Sequence, residues 1–126
     1  MKPLSILWVE DQRNDNLTLI EAIEGDRRAS LTCVDNVAQA LAVLSHASFD
    51  LVIVDLNLPL GGASYVDGHR NGLHVIDFIE AHGIASRVLC LTNFVEDAAT
   101  ALRGRCTVLK KGIFVSDLCK VVFRDP

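Results

Sequence analysis

The sequence predicts a three-layer α/β domain, a doubly wound parallel sheet of five strands with helices on both faces. Three observations carry this. Five short apolar runs alternate along the chain with five segments of helical periodicity. The run Leu51-Val52-Ile53-Val54 is apolar without alternation, as a strand covered on both faces must be. Glycines at 25, 83 and 104 stand where helical segments should stop.

Taken in order, Leu4–Val9 reads as the first strand, and a helix follows over 14–24 with Leu17, Ile20 and Ile23 at helical spacing. Residues 30–34 read as the second strand. Asn36 is the expected cap of a helix running to about Ala47, with Val37, Ala40, Leu41 and Leu44 as its buried stripe. The third strand covers 49–54. A polar stretch over 57–71, containing Pro59, Gly61-Gly62 and Asp67-Gly68, leads to a third helix, Leu73–Ala81, with Leu73, Ile76 and Ile79 at its core face. A fourth strand is expected at 87–91, a short helix at Val95–Leu102, a fifth strand at 106–109 and a last helix at Val115–Phe123.

Composition narrows the class. The chain has 126 residues, half of them hydrophobic and 22% charged. That is enough for one packed domain with a radius of about 14 Å. The net charge of −4 gives no general attraction to nucleic acid or anionic membrane. A membrane span needs about 20 apolar residues, and no run approaches that; the N-terminus lacks a signal-peptide pattern. Cys33, Cys90, Cys106 and Cys119 form no CxxC pair and sit among apolar neighbours, so they read as reduced core residues of a cytoplasmic protein.

In such a sheet, ligands bind outside the carboxyl ends of the strands. The first strand ends in Glu10-Asp11, the third in Asp55, the fourth in Thr92-Asn93 and the fifth in Lys110-Lys111; the second ends in nothing distinctive. If the first and third strands are neighbours, three carboxylates converge. Two of them about 5 Å apart repel by roughly 3 kcal/mol at an effective dielectric near 20. A protonated carboxyl, a lysine or a hard dication could offset this; the favoured reading is one lysine with one Mg²⁺, which neutralises all three, and Mg²⁺ favours one or two carboxylates with water and a phosphate oxygen.

Four pieces, Ile6-Leu7-Trp8-Val9-Glu10-Asp11, Leu51-Val52-Ile53-Val54-Asp55-Leu56-Asn57-Leu58-Pro59, Val88-Leu89-Cys90-Leu91-Thr92 and Val108-Leu109-Lys110-Lys111-Gly112, closely resemble the CheY-like receiver domain of two-component response regulators. The resemblance spans essentially the whole chain. It implies the flavodoxin/CheY-like strand order 2-1-3-4-5 and a single receiver domain over 1–126 with no output domain. It further implies that Asp55 accepts a phosphoryl group from a histidine kinase or histidine phosphotransfer protein. Asp11 and Asp55, with the backbone carbonyl of Asn57, would ligate Mg²⁺, and Glu10 would hold the ion through water. Thr92 would hydrogen-bond one phosphoryl oxygen and the strand-five lysine would pair with another. The chain is then a phosphoacceptor regulator that assists its own phosphotransfer and dephosphorylation, not an enzyme in the ordinary sense. Its switched surface would be the fourth helix, fifth strand and fifth helix, a candidate homodimer face, with no direct nucleic-acid or membrane contact.

Successive strand residues face opposite sides, so only one of Lys110 and Lys111 can enter the site. The family carries an apolar residue two before its lysine, and Leu109 then selects Lys111. Four features depart from the family pattern. Gly112 replaces a proline. Val108 stands where an aromatic switch residue is usual. Asn93 replaces a very small residue. The stretch after Asp55 is longer by roughly seven to nine residues near 60–69, a length that is commonly functional, with a tolerated surface insertion as the plainer alternative.

The first two departures leave room for a receiver-shaped interaction module that phosphorylation does not regulate. An aspartyl-phosphate phosphatase of the haloacid dehalogenase type is disfavoured. It needs a second acid two residues after the nucleophile, where this chain has Asn57. Trp8 reads as core. Asp67, His69 and His74 fit no metal-ligand spacing. His46 and His82 are expected to satisfy carbonyls at helix ends.

Overall fold

The computed structural model describes residues 2–58, 61 and 70–124. The elements run β1 (Leu4–Val9), a short 3₁₀ turn (Arg13–Asn16), α1 (Leu17–Glu24), β2 (Ala29–Val34), α2 (Val37–Leu44), β3 (Leu51–Val54), α3 (Leu73–Ala81), β4 (Arg87–Thr92), α4 (Val95–Leu102), β5 (Thr107–Lys110) and α5 (Val115–Phe123). The strands form one sheet in the order β2-β1-β3-β4-β5, every pair parallel. This is the flavodoxin/CheY-like arrangement that the resemblance implies. The expected long stretch near 60–69, with Asp67 and His69, lies outside the described residues apart from Gly61.

Alternation along the strands sorts the core into two layers. Leu7, Val9, Val52, Val54 and Cys90 pack with Val37, Ala40 and Leu44 of α2, Val75, Ile76 and Ile79 of α3, and Ala98 and Leu102 of α4. Ile6, Trp8, Leu51, Ile53, Leu89 and Leu91 pack on the other side with Leu19, Ile20 and Ile23 of α1 and Leu118 and Val122 of α5. Trp8 is core, as expected. Cys90 is buried, and the other three cysteines are half-buried and free. Burial, with Cys106 and Asp55 nearby, pushes the Cys90 thiol up to about 12, so it is inert at neutral pH.

The first helix differs from expectation at its start. Residues 13–16 wind as a 3₁₀ turn, and Leu17 opens α1 exposed to solvent, leaving Leu19, Ile20 and Ile23 as the buried stripe. Asn36 caps α2 through Oδ1, which accepts from the Gln39 amide at 2.8 Å. That helix ends at Leu44, three residues before the expected 47, where the Ser45 hydroxyl donates to the Leu41 carbonyl at 2.8 Å. The third strand starts at Leu51 because Asp50 brackets it. Its amide donates to the Ser5 carbonyl at 2.8 Å, and its carboxylate accepts from the Ser5 amide at 2.8 Å. His82 Nδ1 lies 3.0 Å from the Phe78 carbonyl as expected, whereas His46 reaches a helix-end carbonyl only through its own backbone amide.

Candidate functional site

The carboxyl ends of β1 and β3 meet at the centre of the sheet, with Trp8 opposite Ile53 and Val9 opposite Val54. The next residues along are Glu10 and Asp55. Both follow the parity of Trp8 and Ile53, toward the α1/α5 layer. Both are almost fully buried, 5% and 4% exposed. On β5, Leu109 packs in that same layer, and Lys111 is two residues further on. The backbone amide of Lys111 donates to the Thr92 carbonyl at 3.1 Å, which extends the β4–β5 ladder by one rung and fixes the lysine stem.

The ammonium of Lys111 closes the arrangement. Its Nζ is 2.7 Å from Asp55 Oδ2 and 3.1 Å from the Glu10 carboxylate. Lys110, one residue earlier, lies on the exposed side of the strand. Burial raises the Glu10 pKa above its ordinary value; the Gln12 amide, which donates to Oε1 at 2.9 Å, and the charge of Lys111 pull it back only in part. Burial alone would lower the Lys111 pKa, but hydrogen bonding and charge from Asp55, then from Glu10, raise it overall. Lys111 is therefore a firmly charged ammonium between two buried carboxyl groups.

Three further sequence candidates lie around this centre. Asp11 is half-buried and lines a cavity of about 210 Å³ with Glu10, Arg13, Cys33, Val34, Asp35 and Gln39. The Asn57 amide donates to Asp55 Oδ1 at 3.2 Å, so the turn after β3 folds back on its own carboxylate. Thr92 is buried, and its Oγ1 accepts from the Phe94 amide at 3.1 Å, which starts α4. Glu10 and Asp55 thus share Lys111, while Asp11 shares a cavity with Glu10 that neither Asp55 nor Lys111 lines. Among the described residues no three His, Cys, Asp or Glu side chains gather as a ready metal cage. The donors available at the rim are hard oxygens, carboxylates and a backbone carbonyl. That chemistry suits Mg²⁺ or Ca²⁺ and does not suit a soft metal.

What holds the Asp55 turn could not be read from the sequence. Gly72 packs against it so closely that a Cβ there would lie 2.2 Å from the Asp55 carbonyl oxygen and 2.7 Å from Leu56 Cα. The Gly72 amide donates to the Leu56 carbonyl at 2.8 Å, and Asn71 Nδ2 donates to the Leu58 carbonyl at 3.0 Å. The Asn-Gly dipeptide is a turn signal in the sequence, but its contact with Asp55 is not readable from spacing.

No family model matches the sequence, and no curated protein matches it. Solved structures do match its fold. The receiver domain of the Francisella response regulator 1452 superposes with a TM-score of 0.76 at 17% identity, over 98% of this chain and 95% of that one. The RcsB response regulator of Salmonella typhimurium gives 0.73 at 18% identity, over 95% of this chain and 58% of that one. A response regulator of Burkholderia pseudomallei, with a phosphorylated aspartic acid and a calcium ion, gives 0.69 at 22% identity over 94% of this chain and 66% of that one. At these identities the likeness is one of fold. No helix among the described residues is long and apolar enough to cross a membrane.

Proposed function

We propose that this chain is a receiver domain of two-component signalling, phosphorylated on Asp55. The observation that carries this is the buried Asp55 carboxylate at the carboxyl end of β3, 2.7 Å from the Lys111 ammonium and beside the buried Glu10. A nucleophilic carboxylate with a fixed cation beside it is what phosphoryl transfer requires, since that reaction depends on positioning and charge neutralisation. One Asp55 oxygen attacks the phosphorus of a phosphohistidine. The P–O bond to Asp55 forms as the P–N bond breaks, and the leaving imidazole takes up a proton. Lys111 would move with the new phosphoryl group and pair with one of its oxygens; Thr92 Oγ1 would donate to another.

Asp11, Asp55 and the Asn57 carbonyl would hold Mg²⁺, with Glu10 acting through water. The ion would neutralise phosphoryl charge during transfer. The donor is a histidine kinase or histidine phosphotransfer protein. Phe94 and Phe114 support a docking face for it, because they are 60% and 77% exposed on the loops that follow β4 and β5, next to Thr92 and Lys111. The domain is proposed to act as a single cytoplasmic unit over 1–126, whose modification biases the α4-β5-α5 face, and to dimerise there.

The test is incubation with acetyl phosphate and Mg²⁺ followed by intact mass. Wild type should gain one phosphoryl group and Asp55→Asn none. An unlabelled wild type, beside a control receiver that labels, overturns the reading. A second reading, a receiver-shaped interaction module without phosphorylation, is favoured by one observation: Val108 sits half-buried where a rotating aromatic would be the lever. The same assay separates the two.

A further inference from the structure

A closed ring of short contacts runs from Asp55 to α4 and back. On one side, Lys111 Nζ holds Asp55 and the Lys111 amide holds the Thr92 carbonyl, while Thr92 Oγ1 accepts the Phe94 amide at the start of α4. On the other side, Gly72 touches the Asp55 and Leu56 backbone, and two residues before it stands Arg70. Arg70 reaches across to Asp97 in the first turn of α4, Nε to Oδ2 at 3.3 Å and Nη2 to Oδ1 at 2.5 Å. Its backbone is left-handed, with φ of 62°, a conformation that L side chains seldom adopt. A residue held in that conformation with a two-pronged ion pair to another element is well placed to set the turn that follows it.

We propose that Arg70 is a positioning residue: its pair with Asp97 seats the Arg70-Asn71-Gly72 turn on the Asp55 backbone, and thereby couples the Asp55 site to α4. The coupling offers a route from Asp55 to the α4 face in a chain that has Val108 in place of an aromatic lever. Its consequence for phosphorylation rests on the receiver reading of Asp55; the coupling itself does not. Where a change at Asp55 biases α4 through this pair, linkage makes a bias on α4 act back on Asp55 with the same coupling free energy.

The experiment uses Arg70→Gln, Arg70→Lys, the charge exchange Arg70→Asp with Asp97→Arg, and Arg105→Gln as control. Arg105 also ties loops to α3, through Asp77 at 2.6 Å and Glu80 at 2.9 Å, but far from Asp55 along that helix. Backbone amide NMR shifts are read in the unphosphorylated protein, and the initial phosphorylation rate with acetyl phosphate and Mg²⁺ is read separately. Arg70→Gln should move the amide signals of 55–57 and of the first turn of α4 together, and slow phosphorylation about fivefold, the low end of measured couplings. Arg70→Lys and the charge exchange should each recover part of both effects. Unmoved signals at 55–57 in Arg70→Gln overturn the proposal. So does an equal movement in Arg105→Gln, which would mean a general loosening of α3. If wild type takes no phosphoryl group while Arg70→Gln still moves 55–57, the receiver reading fails and the coupling stands.

Discussion

Lys111 is the residue on which the site's electrostatics turn. It is 8% exposed and bridges two carboxylates that are more buried still. Removing one partner of a buried ion pair strands the other, at a cost of about 3–5 kcal/mol. Lys111→Met should therefore lower unfolding stability by that order in chelator, measured by urea denaturation at neutral pH. Lys111→Met combined with Glu10→Gln should recover part of it, because one of the two facing negative charges is gone. Strand parity, a local property, told only that one of Lys110 and Lys111 enters the site; the family resemblance, through Leu109, pointed to Lys111, whose Nζ lies beside Asp55. The role of Gly72 was not legible, because the backbone it touches is about 17 residues away in sequence. Gly72→Ala puts a methyl group against the Asp55–Leu56 backbone, where no flexible side chain can yield. Overpacking of this kind costs about 1–3 kcal/mol. The loss should appear in the urea midpoint and be accompanied by amide shifts at Asp55 and Leu56.

At the scale of elements, the apolar runs and helix stops were readable because they are set by burial and by glycine, both local in sequence. Gly83 and Gly104 do adopt positive φ, 61° and 79°, just past α3 and α4. Periodicity could not separate the 3₁₀ turn over Arg13–Asn16 from the helix it leads into, since three- and four-residue spacings coincide over one turn. The exposed start of α1 follows from that. A different kind of tie joins the turn before β2 to α5. Arg28 pairs with Asp26, Nη2 to Oδ2 at 2.9 Å, and its guanidinium lies 3.9 Å from the centre of the Phe123 ring. Hydrogen bonds from the Arg28 side chain and backbone hold the Asp26 pKa below its usual 3.8. A depressed acid stabilises the fold above its unfolded pKa, and that contribution is lost as pH falls through the folded value. Asp26→Asn should thus be less stable than wild type at pH 7, and the difference should close as pH drops through the acid range below about 3.8. A difference that stays constant to low pH would mean that the Arg28 contact does not depend on the Asp26 charge. Thermal unfolding across a pH series measures it.

At the scale of the whole molecule, the modest net charge of −4 conceals an uneven distribution. Glu10, Asp11, Asp35, Asp55, Glu96 and Asp97 all stand at the carboxyl rim of the sheet or the turns above it. The raised pKa of Glu10 means that its ionised form is a burden on the folded state at neutral pH, relieved by Lys111 only in part. The proposed Mg²⁺ would relieve the rest, and it would bind the assembled rim far better than an unfolded chain. Mg²⁺ should therefore stabilise the fold, by about 2.7 kcal/mol at a hundredfold excess over Kd, or roughly 10 °C in Tm for a domain of this size. Chelator should reverse the gain. Asp55→Asn should respond far less, because it removes a proposed charged ligand, while Glu21→Gln, on the exposed face of α1, should respond like wild type. Equal Mg²⁺ responses from wild type and Asp55→Asn would locate the ion elsewhere. Asp55 would then keep its lysine but lose the cation that a phosphoryl group needs beside it.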